Sequence, residues 1–205
     1  GELSPAERFW THLAEQLVPE DIALLGQAAI DAGQPHLAVM IGKRAAQRGL
    51  EVPAPYYALH SLVEKDLPMA TEMTLAIARR ESEFDPDVQS GVGARGLMQI
   101  MPAAAQDHAG SLGVSGNPRS LNQPSVNLAF GQRHLQMLRD HPATQGKLPK
   151  IMAAYNAGLT PVGRWNTEVN DQGDPLLYME SIPYWETRGY VAIVTRNYWM
   201  YERQG

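Results

Sequence analysis

The sequence predicts a nearly all-α protein. Three observations carry this reading. Apolar residues recur at i, i+3 and i+4 in one segment after another, proline and glycine stand where helices would open and close, and no stretch shows the sustained alternation of a strand. With 205 residues the chain is long enough for one domain, or one domain plus a smaller appendage. A chain of that size removes roughly 70% of its unfolded surface from water.

The first fifty residues read as three short helices. Ser4 and Glu7 have capping-box spacing, Pro5 suits a first helical position, and Phe9, Leu13 and Leu17 repeat every fourth residue. Pro19 opens a second helix, Glu20 to Ala32, closed by Gly33; Pro35 opens a third, His36 to Arg48, closed by Gly49. Two such neighbours resemble one unit of a helical repeat, although an ordinary helical subdomain accounts for them equally well. Val52-Pro53-Ala54-Pro55 reads as a stiff connector, which divides the chain into a helical segment at 1–52 and a larger unit at 53–205. Within the second unit a short helix is expected over Tyr56–Lys65 and a strong one from Pro68 to about Phe84. Glycine-rich loop follows over Gln89–Gly96, with room for a small hairpin after Gly96. Further helices are expected over Leu97–His108, Pro124–Arg139, Leu148–Ala157 and Glu186–Glu202.

Composition excludes several classes. Hydrophobic residues make up 44% and charged residues 19%, which is neither disordered nor collagen-like. The 17 basic and 22 acidic residues give a net charge of -5, which argues against a dedicated nucleic-acid binder. With no cysteine, thiol catalysis, disulfides and zinc-thiolate sites are ruled out. No apolar run approaches the ~20 residues of a membrane helix. The six histidines show no pair at i, i+4, and no metal or other cofactor is expected. No signal peptide is visible: the chain opens Gly1-Glu2-Leu3-Ser4-Pro5, and the missing initiator methionine points to a processed chain or an excised piece.

The helix expected after Pro68 holds the most informative arrangement. Met69, Met73, Ile77 and Glu81 are four apart and form one ridge, with Phe84 returning to the same face. Glu81 therefore ends an apolar row. Glu83, rotated roughly 200° from it if the helix continues, is expected to face solvent near Arg79 or Arg80. A carboxyl on an apolar face loses hydration of its charged form, which raises its pKa toward that of a general acid. The alternative is a carboxylate that pairs with an arginine at the core's edge. Tyr155 shares the buried face of Leu148, Ile151 and Met152, so it is either a core residue or a hydroxyl with a specific partner. Trp165, Tyr178, Tyr184 and Trp185 are candidates for stacking on sugars, or else core and rim. Gly91, Gly93 and Gly96 either let backbone approach a ligand or serve a turn.

Four blocks extend this reading: Glu81-Ser82-Glu83-Phe84-Asp85-Pro86; Ser90-Gly91-Val92-Gly93-Ala94-Arg95-Gly96-Leu97-Met98-Gln99-Ile100-Met101-Pro102; Ala153-Ala154-Tyr155-Asn156-Ala157-Gly158; and Glu180-Ser181-Ile182-Pro183-Tyr184-Trp185-Glu186-Thr187-Arg188-Gly189-Tyr190-Val191. In this order they resemble the catalytic domain of the soluble lytic transglycosylases that act on peptidoglycan. The likeness covers roughly Pro68 to Tyr201. The helices before it are similar to the end of the family's α-superhelical and linker region.

The resemblance implies a goose-lysozyme-like, mostly α fold in the cell envelope, expected to be periplasmic. It implies cleavage of the β-1,4 bond between N-acetylmuramic acid and N-acetylglucosamine, with 1,6-anhydromuramoyl ends as product. Glu81 matches the family's acid. Ser90 and Tyr155 match positions that hydrogen-bond or orient it, and Gln99, Met101, Asn156 and Glu186 match substrate contacts. After Gly158 the family's usual Pro-Gly is replaced by Leu159-Thr160, which puts the local loop shape in doubt. Two other functions remain open: a hydrolytic lysozyme on the same fold, and a non-catalytic glycan-binding module. Membership in a cell-wall complex cannot be read from the sequence.

Overall fold

The computed structural model describes residues 5–63, 67–114 and 116–204. Ser4 of the expected capping box and Lys65 at the end of one expected helix lie outside them. Eleven α-helices are present among the described residues. The first three, α1 (Pro5–Gln16), α2 (Pro19–Asp31) and α3 (Pro35–Gln47), begin at the prolines that announce them. α3 is the centre of this group and packs against both α1 and α2. Within the expected stiff connector, Pro53-Ala54-Pro55-Tyr56 forms a helical turn, α4 (Pro53–Tyr56). The turn nests where α2 and α3 carry glycines. A Cβ on Gly26 would lie 2.6 Å from the Pro55 ring, and one on Gly42 would lie 2.5 Å from the Tyr56 backbone. Those two mid-helix glycines therefore exist for close approach. The expected helix over Tyr56–Lys65 is replaced by α4 and a 3₁₀ turn, Ser61–Val63.

α5 (Thr71–Glu81) buries Met73 and Ile77 completely. It packs along α11 (Trp185–Glu202), the longest helix, on which Tyr190, Val191 and Val194 are buried. α5 ends at Glu81, earlier than expected, because Glu83 and Phe84 take left-handed backbone angles, φ 54° and 66°. Residues that are neither glycine nor asparagine seldom adopt that conformation, so it is a point of stored strain. The glycine-rich loop that follows has two isolated antiparallel bridges, Gln89 with Arg95 and Arg95 with Ile100. The next helix therefore starts at Pro102 rather than Leu97.

α6 (Pro102–Leu112) packs on α7 (Pro124–Asp140), and α7 packs on α8 (Leu148–Ala157). Two helices were not anticipated. α9 (Leu159–Glu168) begins directly after Gly158, whose φ is 86°, and buries Val162 and Trp165. α10 (Pro175–Ser181) is capped by Asp174, whose carboxylate accepts from Leu176 N at 2.8 Å and Leu177 N at 3.3 Å. One apolar cluster runs from Ala14 to Tyr201 through all of these layers. Among the described residues no helix is long and apolar enough to cross a membrane.

Candidate active site

Glu81 is the last residue of α5, and its carboxyl meets α8 and α11 at that end. Tyr190 of α11 donates its hydroxyl hydrogen to Glu81 Oε1 at 2.7 Å. Burial pushes the Glu81 pKa above the ordinary carboxylate range; the Tyr190 hydrogen bond and the nearby charge of Arg80 pull against it. Tyr155 and Tyr190 are themselves buried beside Glu81 and are held well above the usual phenol pKa, first by desolvation and then by the Glu81 charge. Both therefore remain neutral hydroxyls over the working range.

The neighbouring carboxylates are committed elsewhere. Glu83 turns away to Lys43 of α3 and to Arg79, 3.8 Å distant. Its place beside Arg79 agrees with the sequence reading, but it is half-buried against Lys43 rather than facing solvent, and the helical-phase reason does not apply since residue 83 is outside α5. Asp85 Oδ1 accepts from Asp87 N at 2.9 Å, a local turn. This leaves one partly buried carboxyl in the site with a donor on one of its oxygens.

The loop beside Glu81 is held by side chains from three directions. Ser82 Oγ donates to Leu97 O at 2.7 Å. Asn127, fully buried on α7, donates to Arg95 O at 2.7 Å and Leu121 O at 2.8 Å, and accepts from Met98 N at 2.8 Å. Gly96 lies against it with φ 73°, and a Cβ there would be 2.4 Å from Asn127 Nδ2.

Tyr155 donates to Met98 O at 2.7 Å. Its hydroxyl thus fixes the loop and is not the group that bonds the acid. Ser90 likewise acts within the loop, where its Oγ accepts from Ala94 N at 3.0 Å. Of the expected pair that hydrogen-bonds or orients the acid, Ser90 and Tyr155 both hold the loop, and the direct hydrogen bond to Glu81 comes from Tyr190. The sequence placed Tyr190 only within the fourth block, on the helix expected over Glu186–Glu202.

The other expected residues fall in two places. Gln99 has φ 48° and donates Nε2 to Val88 O at 3.1 Å and Gly96 O at 3.0 Å, so its amide nitrogen is spent on loop shape. Met101 is exposed at the start of α6. Asn156 and Glu186 come together in a polar groove of about 410 Å³ that also takes in Thr187, Tyr184 and Trp185. Asn156 Oδ1 accepts from Thr187 Oγ1 at 2.8 Å. Trp185 is 82% exposed and Tyr184 44%, whereas Trp165 and Tyr178 are core residues. The groove and the acid are joined by helix geometry: Glu186 and Tyr190 are one turn apart on α11, and Tyr155 and Asn156 are adjacent on α8.

Comparisons with known proteins agree with this geometry. The chain is 39% identical over 132 residues to the soluble lytic murein transglycosylase of Escherichia coli strain K12, covering 63% of this chain and 20% of that protein. The crystal structure of the 70 kDa soluble lytic transglycosylase from Escherichia coli superposes with a TM-score of 0.84 at 29% identity, over 97% of this chain and 32% of that one. The inactive glutamate-to-glutamine mutant of lytic transglycosylase Slt from Pseudomonas aeruginosa gives a TM-score of 0.78 at 27% identity, over 97% of this chain and 33% of that one. The chain thus spans about a third or less of each of these three proteins. Residues 64–177 match the model described as the transglycosylase SLT domain, a range that holds Glu81 and Tyr155 but stops before Glu186 and Tyr190. As that range exceeds half of the chain, the protein belongs to the transglycosylase SLT domain family.

Proposed function

We propose that this chain is the catalytic portion of a peptidoglycan lytic transglycosylase working in the periplasm, with residues 1–52 as a helical segment preceding a catalytic unit at 53–205. Support comes from the family match and from relatives that are soluble lytic murein transglycosylases by name. The observation that carries the chemistry is the lone Glu81 with Tyr190 on Oε1. Ordinary glycosidases use two carboxyls, one as acid and one as nucleophile or base. Here the nearby Glu83 and Asp85 are engaged in other contacts.

One carboxyl suffices if the substrate supplies the nucleophile. Protonated Glu81 gives its Oε2 proton to the leaving glycosidic oxygen, while the substrate's N-acetyl group stabilises positive charge at the anomeric carbon. Ionised Glu81 then takes the proton of the muramoyl 6-hydroxyl as that oxygen attacks the same carbon and closes the anhydro ring. Burial favours the protonated form of Glu81 before cleavage, and the Tyr190 hydrogen bond supports the carboxylate after it. Asn156, Glu186, Gln99 and Met101 are the proposed sugar contacts, with Ser90 and Tyr155 positioning Glu81 through the loop. Exclusion of water and orientation of the 6-hydroxyl favour ring closure over hydrolysis.

Digestion of purified peptidoglycan followed by mass spectrometry tests this. Muropeptides should end in the 1,6-anhydro form. Products bearing the added mass of water would assign a hydrolytic lysozyme instead, and intact glycan bound without cleavage would assign a binding module.

A further inference from the structure

On the flank of α5 that faces α3 and α11 lies a polar cavity of about 210 Å³. Lys43, Arg79, Arg80 and Arg196 line it against a single carboxylate, Glu83. This concentrates positive charge in a chain whose net charge is -5. Internal pairing does not absorb it. Lys43 and Arg79 share Glu83, and Arg79 also donates Nε to Tyr56 O at 3.1 Å. Arg80 and Arg196 are exposed and have no carboxylate partner among the described residues; the Arg80 guanidinium rests over the Tyr190 ring at 5.9 Å.

We propose that this cavity binds a small multivalent oxyanion, phosphate- or carboxylate-bearing, gripped by Arg80, Arg196 and Lys43. Three positive charges in excess repel one another across a concave wall, and an oxyanion converts that repulsion into charge-assisted hydrogen bonds. Guanidinium groups suit the task because their planar forks match oxyanion geometry.

The site communicates with Glu81 through Arg80, its neighbour in sequence. The Arg80 charge opposes burial in setting the Glu81 proton affinity, and the other groups that face Glu81, Tyr190 from α11 and Tyr155 from α8, are uncharged. An anion on Arg80 therefore favours protonated Glu81, and by linkage the protonated enzyme binds the anion more tightly. This coupling, unlike the binding itself, rests on reading Glu81 as the acid.

Calorimetric titration and thermal unfolding test the site with inorganic pyrophosphate in one arm and tricarballylate in the other, both against sodium chloride at equal ionic strength. The expected result is a saturable isotherm and a rise in Tm, with the tighter arm naming phosphate or carboxylate as the natural group. Arg196→Gln should weaken binding about tenfold or more, whereas the distant Arg119→Gln leaves it unchanged. If Arg196→Gln does not fold, Arg80→Gln is read by the same isotherm. No response beyond sodium chloride in either arm, or equal binding by Arg196→Gln and wild type, overturns the proposal. With the anion bound, the alkaline limb of the rate profile should move to higher pH. An unmoved limb overturns the coupling but not the binding, so the two failures are distinguishable.

Discussion

Tyr190 and Glu81, 109 residues apart in sequence, share a 2.7 Å hydrogen bond that commits one of the two carboxyl oxygens. The bond favours the ionised form while burial favours the neutral one. Tyr190→Phe removes the first influence and keeps the second. The Glu81 pKa should rise further, moving the alkaline limb of activity to higher pH. In the proposed mechanism the first half of the reaction, in which Glu81 gives up its proton as the acid, should slow by roughly tenfold to a hundredfold, the worth of a hydrogen bond to a charged group. A limb that stays in place or moves to lower pH would show that Tyr190 does not set this proton affinity.

Glu81→Gln should reduce turnover by at least the 10²–10⁴-fold typical of general acid–base assistance. It should not cost stability. In the folded wild type the Glu81 pKa lies above its unfolded value, so the chain gives up stability as pH rises through the folded pKa. Glutamine does not titrate and escapes that loss. At neutral pH the variant's Tm is expected to equal or exceed that of wild type, with the gap narrowing in acid. A folded variant retaining more than about a tenth of wild-type cleavage would remove Glu81 from the reaction.

Glu83→Gln separates the two neighbouring acids by a different readout. The carboxylate holds Lys43 and the largely buried Arg79, tying α3 to the end of α5. Its neutralisation should lower stability by about 1–2 kcal/mol, between the values for exposed and buried pairs. Turnover per folded molecule should fall far less than for Glu81→Gln. His36 reinforces the same junction, donating Nδ1 to Glu83 O at 2.8 Å and reaching Glu7 with Nε2 at 2.7 Å. Chemical denaturation of Glu83→Gln with unchanged m-value would give the number. A larger loss of turnover than at Glu81 would reverse the assignment.

The legible parts of this molecule were those encoded locally. Pro19, Pro35 and Pro124 start helices because a missing N–H costs nothing in a first turn, and Glu81 could be singled out because Met73 and Ile77 set its face. Where local signals failed, a distant group had decided the outcome. The end of α5 was placed too late because Glu83 and Phe84 are held in left-handed conformations, with Glu83 O bonded to His36 and its carboxylate to Lys43, 47 and 40 residues away. Leu159-Thr160-Pro161-Val162-Gly163 carries loop-like residues, yet α9 forms because Val162 and Trp165 find a buried site. Tyr190 lay on a legible helix, but its partner is in another one. Asn127 left a faint signal, a polar residue beside Leu128 on a helix whose neighbours are core.

Asn127 should be among the costliest polar positions. It makes three hydrogen bonds and is fully buried. Asn127→Leu preserves volume but strands Leu121 O and Met98 N and leaves Arg95 O with Ile100 N alone. The expected loss is about 2–4 kcal/mol by urea unfolding, because buried groups without partners incur their full desolvation cost. Activity per folded molecule should also fall, since Met98 O is the acceptor for Tyr155. A near-neutral result would show that water replaces these bonds.

His134 sets a limit on the acid side. Its ring packs edge-on to Tyr155 at 5.5 Å, and its Nδ1 is 3.1 Å from His108 Nε2. Burial first, and the charge of His108 second, lower its pKa from 6.5 to about 4. His108 is also lowered, by burial and by Arg133, with Asp107 opposing. The sign follows from which state binds the proton. Between these values the unfolded chain takes up a proton that folded His134 refuses, so its contribution is complete above pH 6.5 and lost as pH falls through about 4. A difference of that size corresponds to about 3 kcal/mol. His134→Gln does not titrate at this position. Wild type should therefore lose about 3 kcal/mol more stability than the variant between pH 7 and pH 4, measured by urea unfolding at several pH values. Parallel pH profiles would show that His134 is charged in the folded protein. Because the same imidazole packs behind Tyr155, the wild-type loop at Met98 should exchange its amide hydrogens faster in acid than that of His134→Gln.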